Sequence, residues 1–577
     1  MEMDTIYSVP LRTKEKQRIN VVAAGKAPAD LLLKNGKIVN VFTNRIEKTD
    51  VVICDGRIAA LDECGEYNAS EIIDVGGKVI VPGFIDCHIH LESSLVMPYE
   101  FVKATVPCGT TAVITDPHEI ANVAGADGIE FMIDATEGLP IDVFFMLPSC
   151  VPSTPMDEAG AILEYQDIDK FYSHPRVLGL AEMMDFVGVV NGSELCLDKI
   201  SDAELHSKLT DGHAPGLAGK QLNAYVAAGI SSDHECSTFD EGLEKIKRGQ
   251  FIMIREGTAA HNLDALMPLL KSGYGDRCAF CSDDKHPSDL ISAGHIDELV
   301  RRCVEGGVDP VVAIKAASYN AARHYGLKDR GAIAPGFIAD LVVADDLSKL
   351  VVREVFKEGS PVFDGNKVRI CGKPEVRVEL EQRIKNTFKD HVYMTDDFVT
   401  KKSLAVMKMT EGSLYTDDFG RAEKIDVSKD ILKAAVIERH KDTGHIGIGY
   451  INGYGLKSGA VATSFAHDSH NIIVVGTSED YIALAVNMLI EQRGGIVLAD
   501  RGKVLKRVVL NIAGLMSELP LDEVNKELED AKTIAFGMGV NPGIDPFMTL
   551  SFLSLPVIPK LKLTTRGVFD VDTQRLV

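Results

Sequence analysis

The sequence predicts an α/β protein built from a TIM (β/α)8 barrel, a small β-sandwich formed from both flanks of the barrel, and a C-terminal α+β domain. Strand-like and helix-like segments alternate through the middle of the chain, which is typical of the barrel. β-rich segments with turn signals lie before and after that region, and the pattern changes again after about residue 380. A chain of 577 residues is also too long for one hydrophobic core.

Four segments follow from these observations. Residues 1–75 are expected to form an N-terminal tail and the first part of the sandwich, and residues 76–330 the barrel. Residues 331–380 are expected to form the second part of the sandwich, and residues 381–577 the C-terminal domain. In the first segment, Asn35-Gly36 and Asp55-Gly56 are hairpin signals. In the last, Tyr481–Arg493 has the pattern of an amphipathic helix, and Arg501-Gly502 predicts a turn before a further strand.

Eight strands are expected in the barrel, each followed by a helix or a loop. Their expected bounds are Val79–His90, Thr111–Asp116, Asp142–Leu147, Val177–Glu182, Leu209–His213, Gly229–His234, Phe251–Glu256 and Cys278–Asp283. The active site of this fold lies at the carboxyl ends of the strands. Polar residues at those ends are therefore the candidates for chemistry.

The first barrel strand ends in His88-Ile89-His90. Residues two apart on a strand face the same side, so the two imidazoles can point at one position. Imidazole is a common ligand of Zn, Mn, Fe and Co. The sequence therefore predicts a metal site at the mouth of the barrel.

Later strands also end in residues that bind metals. The fourth ends in Glu182, the fifth in His213, the sixth in His234, and the eighth in Asp283. Each is a weak signal alone, because a single polar residue at a strand end is often structural. With the two histidines of the first strand they make a set that can hold two divalent ions, with Glu182 between them.

Composition limits the possible partners. The chain has 61 Lys and Arg against 84 Asp and Glu, a net charge of −23, which argues against nucleic acid and against an anionic membrane surface. No apolar run reaches the roughly 18 residues of a membrane span, and residues 1–20 contain no apolar signal core. The 11 cysteines lack a secreted-type framework, so we expect a cytoplasmic protein with Cys278 and Cys281 in its core.

Six stretches of the chain carry a family resemblance. They are Pro82–Ser94, Thr115–Glu119, Leu180–Met184, Ser232–Glu235, Cys281–His286 and Ser464–Asn471. These stretches resemble the amidohydrolase superfamily of metal-dependent hydrolases and, within it, the family of bacterial adenine deaminases. The resemblance extends over nearly the whole chain after about residue 30.

The resemblance implies two divalent ions per chain, with Mn or Fe favoured and Zn possible. The ligands that it implies are His88, His90 and Asp283 for the more buried ion, His213 and His234 for the second, and Glu182 as the bridge. Many superfamily members fill that bridging position with a carbamylated lysine. The implied reaction is hydrolysis of adenine at C6 to hypoxanthine and ammonia, a step of purine salvage, with Asp283 as the proton carrier.

Protonation of the purine ring needs a general acid. Adenosine deaminases take it from a glutamate in a His-Ala-Gly-Glu stretch, but this chain reads His213-Ala214-Pro215-Gly216 and has no such glutamate. Candidates are Glu235, Glu119 and Glu256, with Glu235 ranked first because it follows the ligand His234. Equally, Glu235 can serve to orient an imidazole.

His118, Glu119 and Glu256 are the candidates for substrate contact. For His118-Glu119 the alternative is a helix start in which the acidic residue favours the positive end of the helix. The stretch His467-Asp468-Ser469-His470 is either a polar turn, or a contribution to the active site or to a further metal.

Two other functions stay open at this stage. One is a different amidohydrolase, such as a dihydroorotase, an imidazolonepropionase or a cytosine deaminase, since the metal ligands alone do not exclude these. The other is a non-catalytic protein that binds metal or purine. Enzymes of this type are commonly symmetric assemblies, so a homodimer or larger homo-oligomer is expected.

Overall fold

The structure is a computed structural model that describes residues 9–154, 156–258, 260–370 and 372–577. The first eight residues of the expected N-terminal tail lie outside the described residues. The tail continues as a helix, Val9–Ala23, whose Ile19 and Val22 pack on the sandwich. No helix in the described part of the chain is long and apolar enough to cross a membrane.

The β-sandwich is built from both flanks of the barrel, as predicted. Its strands are Ala29–Lys34, Lys37–Asn40, Arg45–Lys48, Asp50–Cys54, Arg57–Asp62, Ala69–Asp74, Val79–Pro82, Leu341–Ala344, Val352–Lys357 and Ser360–Phe363. Val79–Pro82 joins the two flanks, because it pairs with Lys37–Asn40 on one side and with Leu341–Ala344 on the other.

One of the two hairpin predictions is confirmed and the other is wrong. Asp55-Gly56 joins two strands that pair antiparallel, Asp50–Cys54 and Arg57–Asp62. Asn35-Gly36 instead joins strands of different sheets, since Leu32 pairs with Val52 whereas Ile38 pairs with Ile80. Asn35 has a φ of 61°, so the Asn-Gly signal marks a tight left-handed corner and not a hairpin.

The predicted barrel is confirmed as a ring of parallel strands. Its strands, called the first to the eighth barrel strand below, are Phe84–Ile89, Thr110–Thr115, Asp142–Leu147, Val177–Met183, Leu209–Gly212, Ser232–Asp233, Phe251–Arg255 and Cys278–Cys281. The first five form one parallel sheet and the last three another. Single parallel bridges, Thr210 to Ile230 and Ile89 to Asp283, close the two gaps.

The predicted first strand, Val79–His90, is divided in the structure. Gly83 separates the sandwich strand Val79–Pro82 from the barrel strand Phe84–Ile89. A Cβ atom at Gly83 would lie 2.2 Å from Thr111 Oγ1, so only glycine lets the chain pass this close to the second barrel strand. The crossing from one domain to the other therefore occurs immediately before the His-x-His motif.

Helices surround the barrel and cover its parallel strands, which are buried on both faces. The α-helices of this region are Pro98–Thr105, His118–Ala124, Ala126–Ala135, Tyr165–Ile168, Phe186–Asn191, Glu194–Leu205, Gly219–Ala227, Phe239–Ile246, Leu263–Lys271, Pro287–Ser292, Ile296–Glu305, Pro310–Ala316 and Tyr319–His324. Short 3-10 turns lie at Leu91–Ser94, Val106–Cys108, Asp169–Ser173 and Gly275–Arg277.

The C-terminal domain has an eight-stranded sheet and a small three-stranded sheet. Its strands are Leu404–Met409, Thr416–Ala422, Leu432–Ile437, Ile446–Asn452, Ala460–Ala466, Asn471–Gly476, Gly495–Asp500, Lys503–Val509, Leu561–Thr564, Gly567–Asp570 and Arg575–Leu576. Its helices are Val378–Lys385, Glu479–Glu491, Leu521–Gly537 and Met548–Phe552, with 3-10 turns at Thr395–Phe398 and Val427–Lys429.

Two local predictions for this domain agree with the structure. The helix expected over Tyr481–Arg493 lies at Glu479–Glu491, where the Ser478 side chain accepts a hydrogen bond from the Tyr481 N–H. Arg501 and Gly502 both have positive φ and lead into Lys503–Val509. The domain is anchored on the barrel: Ser517 exchanges backbone hydrogen bonds with Leu95 and Met97, just after the His-x-His motif.

Candidate metal centre and active site

The first barrel strand fixes both histidines of the His-x-His motif. The backbone carbonyl of His88 accepts a hydrogen bond of 3.0 Å from the Asp283 N–H, which ties the first strand to the eighth. His90 Nδ1 lies 3.0 Å from the Asp116 carbonyl. That contact leaves Nε2 of His90 facing the barrel axis, where a ligand can be bound.

Glu182 lies at the centre of the cluster, on the fourth barrel strand. Its Oε1 is 3.2 Å from His90 Nε2 and 3.7 Å from His88 Nε2. Its Oε2 is 2.6 Å from His213 Nδ1 and 3.2 Å from His234 Nε2. The two carboxylate oxygens thus face two different pairs of imidazoles.

Asp283 completes the set from the end of the eighth strand. Its Oδ1 lies 3.1 Å from His90 Nε2 and 3.5 Å from His88 Nε2. Its Oδ2 accepts a hydrogen bond of 2.6 Å from Arg255 Nη1. All six residues predicted as metal ligands are therefore brought together at the mouth of the barrel.

The donor atoms of this cluster fit divalent metal. Groups of donor atoms within 4.8 Å of one another include His88, His234 and Asp283; Glu182, His213 and His234; and His90, Asp116, His118 and Glu182. His88 Nε2 is buried and has no hydrogen-bond partner among the described residues. A buried imidazole nitrogen without a partner is costly unless a ligand occupies it.

The carboxylates are held in the ionised form that metal binding requires. Burial alone would raise the pKa of Glu182, but His234 and His213 hold it well below the ordinary value. Burial would likewise raise the pKa of Asp283, but Arg255 and the two histidines of the first strand hold it well below its usual range.

Arg255 joins two carboxylates at the cavity wall. It contacts Glu235 through Nη1 and donates a second hydrogen bond of 3.0 Å from Nη2 to Glu235 Oε2. The same Nη1 contacts Asp283. Burial would raise the pKa of Glu235, but Arg255 and His213 lower it. Glu235 therefore stands next to the histidines as an ionised, fixed group.

Glu256 does not reach this cluster, and the expectation of a substrate contact there is corrected. Its carboxylate bonds to His261 Nδ1 at 3.0 Å and contacts Arg302 on a surrounding helix. The reason is strand alternation: Phe251 and Met253 pack inside the barrel, so Arg255 points into its mouth and the next residue points outward. The alternation of side chains along this strand, followed from Phe251 through Met253, therefore predicts Arg255 at the mouth of the barrel.

His118 and Glu119 begin the helix His118–Ala124, as one sequence interpretation expects, and they also border the cavity. His118 Nδ1 lies 2.8 Å from Asp116 Oδ2 and 3.5 Å from Glu182 Oε1. Glu119 contacts His467 and His470 of the C-terminal domain. The loop 467–470 thus reaches the barrel mouth.

A cavity lies above the cluster. The C-terminal domain supplies part of its wall through Leu414, His467, Asp468, Phe552, Leu555 and Ile558. Sequence reasoning missed the apolar members of this wall and also Arg255, Asp116 and Met184. The apolar residues carry no motif of their own, because any buried leucine or phenylalanine of a core looks the same in sequence.

A parallel barrel with this set of imidazoles and carboxylates at its mouth defines a metal-dependent hydrolase, and the amidohydrolase family model matches residues 79–368. The model described as the adenine deaminase C-terminal domain matches residues 398–575. The chain belongs to the adenine deaminase family.

Curated relatives support this membership over nearly full length. The chain is 45% identical to an adenine deaminase of Desulfatibacillum aliphaticivorans, with 96% of this chain and 98% of the relative covered. It is 44% identical to adenine deaminase 2 of Carboxydothermus hydrogenoformans, at 96% and 98% coverage. It is also 44% identical to an adenine deaminase of Kosmotoga olearia, at 96% and 97% coverage.

Proposed function

We propose that this protein hydrolyses adenine to hypoxanthine and ammonia. The observation that supports this most directly is the position of Glu182, whose two oxygens face separate pairs of imidazoles beneath the cavity. Membership in the adenine deaminase family supplies the substrate. The apolar residues of the cavity wall suit a flat purine, and the polar groups beside them suit its ring nitrogens.

We assign the metal ligands to residues that converge at the mouth. They are His88, His90 and Asp283 on one side, His213 and His234 on the other, and Glu182 between them. Imidazole with carboxylate suits Mn, Fe or Zn. When bound, divalent ions in such a set supply a nucleophilic water at neutral pH.

Asp283 is the proposed acceptor of the proton that this water releases. One of its oxygens faces the imidazoles while the other is held by Arg255, so the carboxylate is fixed and ionised. In the overall reaction the water oxygen bonds to C6, the C6–N bond breaks, and the amine leaves as ammonia. A proton taken up by Asp283 can be returned to that amine.

Glu235 is the proposed donor to the purine ring. Its Oε1 lies 3.5 Å from His234 Nε2, so the carboxylate adjoins the reacting position. Because Arg255 keeps it ionised, it can donate only a proton that it has first accepted during the cycle. Arg255 binds both Glu235 and Asp283 and so holds the two carboxylates side by side. The attacking water supplies both protons: one passes through Glu235 to the ring nitrogen, and the other passes through Asp283 to the departing amine. The alternative role, orienting His213 and His234, is separated by Glu235→Gln: an orienting role lowers metal content, whereas a donor role lowers kcat at full metal content.

His118 and Glu119 are proposed as the wall against which the purine lies. The His118 ring packs on the His90 ring with centroids 4.4 Å apart, and both residues border the cavity. His118→Ala is expected to raise KM more than it lowers kcat, since it removes a contact and not a proton carrier.

Ammonia release from a panel of bases tests the substrate assignment. Protein stripped of metal and reloaded with Mn²⁺ is offered adenine, adenosine, guanine and cytosine. Ring opening of dihydroorotate, which releases no ammonia, is followed in parallel by chromatography of the product. We expect adenine to be turned over far faster than the others, and His88→Ala, prepared in parallel, to release no ammonia. Preference for cytosine or for a cyclic amide would instead point to a different amidohydrolase activity.

A further inference from the structure

Glu119, His467 and His470 form a second buried cluster beside the cavity. Glu119 lies at the start of a barrel helix, and the two histidines lie in the loop between the strands Ala460–Ala466 and Asn471–Gly476. Glu119 Oε1 is 3.2 Å from His467 Nδ1, and Glu119 Oε2 contacts His470 Nε2. All three side chains are at most 5% exposed.

The contact between His470 and Glu119 lacks the geometry of a hydrogen bond. His470 Nε2 and Glu119 Oε2 touch, yet neither has a hydrogen-bond partner among the described residues, and the same holds for His470 Nδ1 and Asp468 Oδ2. Buried polar atoms without partners are rare because they cost free energy. Ligands of a shared ion show this arrangement, since their lone pairs point at the ion and not at one another.

The protein holds these side chains in place. The His467 ring stacks on Phe552, with ring centroids 4.4 Å apart and an angle of 8° between the planes. His470 has a φ of 53°, a left-handed conformation that is uncommon outside glycine, and its N–H donates to the Ala466 carbonyl at 2.7 Å. Strained backbone of this kind persists where surrounding contacts impose it, often at functional sites.

We propose that Glu119, His467 and His470 bind a further divalent transition-metal ion, distinct from any held around Glu182. Two imidazoles and one carboxylate are the protein ligands of several zinc and non-haem iron(II) sites, so Mn²⁺, Fe²⁺ or Zn²⁺ is the expected class. His118 lies between the two clusters: its Nδ1 is paired with Asp116, and its Nε2 is 3.3 Å from Glu119 Oε1.

This ion would join two domains of the chain. Glu119 belongs to the barrel and the histidines to the C-terminal domain, so coordination would fix the loop 467–470 as part of the cavity wall. The inference goes beyond the proposed reaction and does not depend on it, because its test counts and locates ions.

Metal content of the full-length protein is the first test. Protein stripped of metal, reloaded with Mn²⁺ and freed of excess is analysed for Mn per chain. Glu119→Gln and His470→Ala are each expected to hold one ion fewer than the unmodified protein. The control His391→Ala changes a half-buried histidine of the same domain and is expected to bind the same amount as the unmodified protein. His88→Ala reports on the Glu182 cluster separately.

Anomalous diffraction from crystals of the unmodified, Mn-loaded protein is the second test, and it does not rely on any variant folding. A peak between Glu119, His467 and His470 is expected. Peaks confined to the Glu182 cluster would overturn the proposal, as would equal Mn content in the unmodified protein and both variants. A failure of the adenine assay with the peak present would count against the proposed reaction alone.

Discussion

Glu182 connects the two halves of the candidate centre. Each of its oxygens faces a different pair of imidazoles, and its carboxylate would supply the negative charge between the two ions that we propose there. A glutamate can fill this bridging position without carbon dioxide, whereas a carbamylated lysine requires carbon dioxide to form. Its neighbouring histidines keep it ionised although its side chain is buried.

Glu182→Gln is expected to reduce the Mn content and to lower kcat by more than about 100-fold, beyond the usual cost of losing an outer partner of a metal ligand. An amide has nearly the same shape but no charge to offset two cations. Metal analysis and ammonia release measure the two effects. Glu423→Gln, at an exposed position, is the matched control, and full Mn content with an unaltered rate in Glu182→Gln would contradict the bridging role.

Asp283→Asn is expected to lower kcat by at least about 100-fold while KM changes less, because proton transfer is lost and substrate contacts are kept. Steady-state kinetics on adenine give both constants. If Asp283 only positions metal, excess Mn²⁺ will restore most of the rate. Substantial rescue by Mn²⁺ would therefore defeat the assignment as proton acceptor.

Lys562 provides a test of electrostatics away from the centre. Its ammonium is buried and donates to the carbonyls of Leu414 and Phe552 at 2.8 and 2.9 Å, and burial lowers its pKa to about 7. Between pH 7 and 10 the unfolded chain therefore binds more protons at this residue than the folded chain does. Its contribution to stability rises with pH over that window, by at most about 1.4 kcal/mol per pH unit.

Denaturant unfolding of the unmodified protein and of Lys562→Met at pH 7, 8 and 9 measures this contribution. The unmodified protein is expected to gain stability relative to the variant as the pH rises. Parallel stability curves for the two proteins would show that Lys562 keeps an ordinary pKa.

The positions of residues at the barrel mouth could be predicted from the sequence where strand geometry decides them. The position of His88 and His90 was predictable because alternate residues share a face, and that of Asp283 because it follows closely after the end of the eighth strand. Glu256 was expected at the cavity, but the residue that lies there is its neighbour Arg255. Phe251 and Met253 point into the barrel, and Arg255 follows them in the same alternation. The pairing of Arg255 with Glu235 has no local signal, because it joins the ends of two separate strands.

At the scale of elements, Gly83 decides how the sandwich meets the barrel. The apolar run from Val79 to His90 looks continuous in sequence, but its two halves pair in different sheets. Hydrophobic patterning does not reveal this division, since both halves are fully buried. Glycine is required at this junction because only a residue without a Cβ atom can lie so close to Thr111.

Gly83→Ala is expected to destabilise the protein by about 1–3 kcal/mol, as overpacking of a closely fitted interior does. The added methyl would lie 2.8 Å from Thr111 Cβ, and neither backbone can move without disturbing a sheet. Gly537→Ala is the control, because no atom beyond the neighbouring turns of its own helix lies within 4 Å of the position that its methyl would take, and helix propensity favours alanine there. Equal stability of the two variants in denaturant unfolding would contradict this explanation of the junction.

At the scale of the whole molecule, the candidate active-site cavity is lined by residues of two domains. The barrel supplies the cluster around Glu182, and the C-terminal domain supplies Phe552 and the loop 467–470. The domain types could be predicted from local patterns, as could the barrel mouth. The contact between Glu119 and His467 could not, because nothing near either residue in sequence specifies which distant segment covers it.

The central claim is that adenine hydrolysis depends on metal held by the cluster around Glu182. Ammonia release from adenine by metal-free protein, before and after addition of Mn²⁺, tests it most directly. We expect no release without metal, recovery of the rate on addition of Mn²⁺, and no recovery in Glu182→Gln. An undiminished rate in the metal-free protein, or full recovery in Glu182→Gln, would contradict the claim.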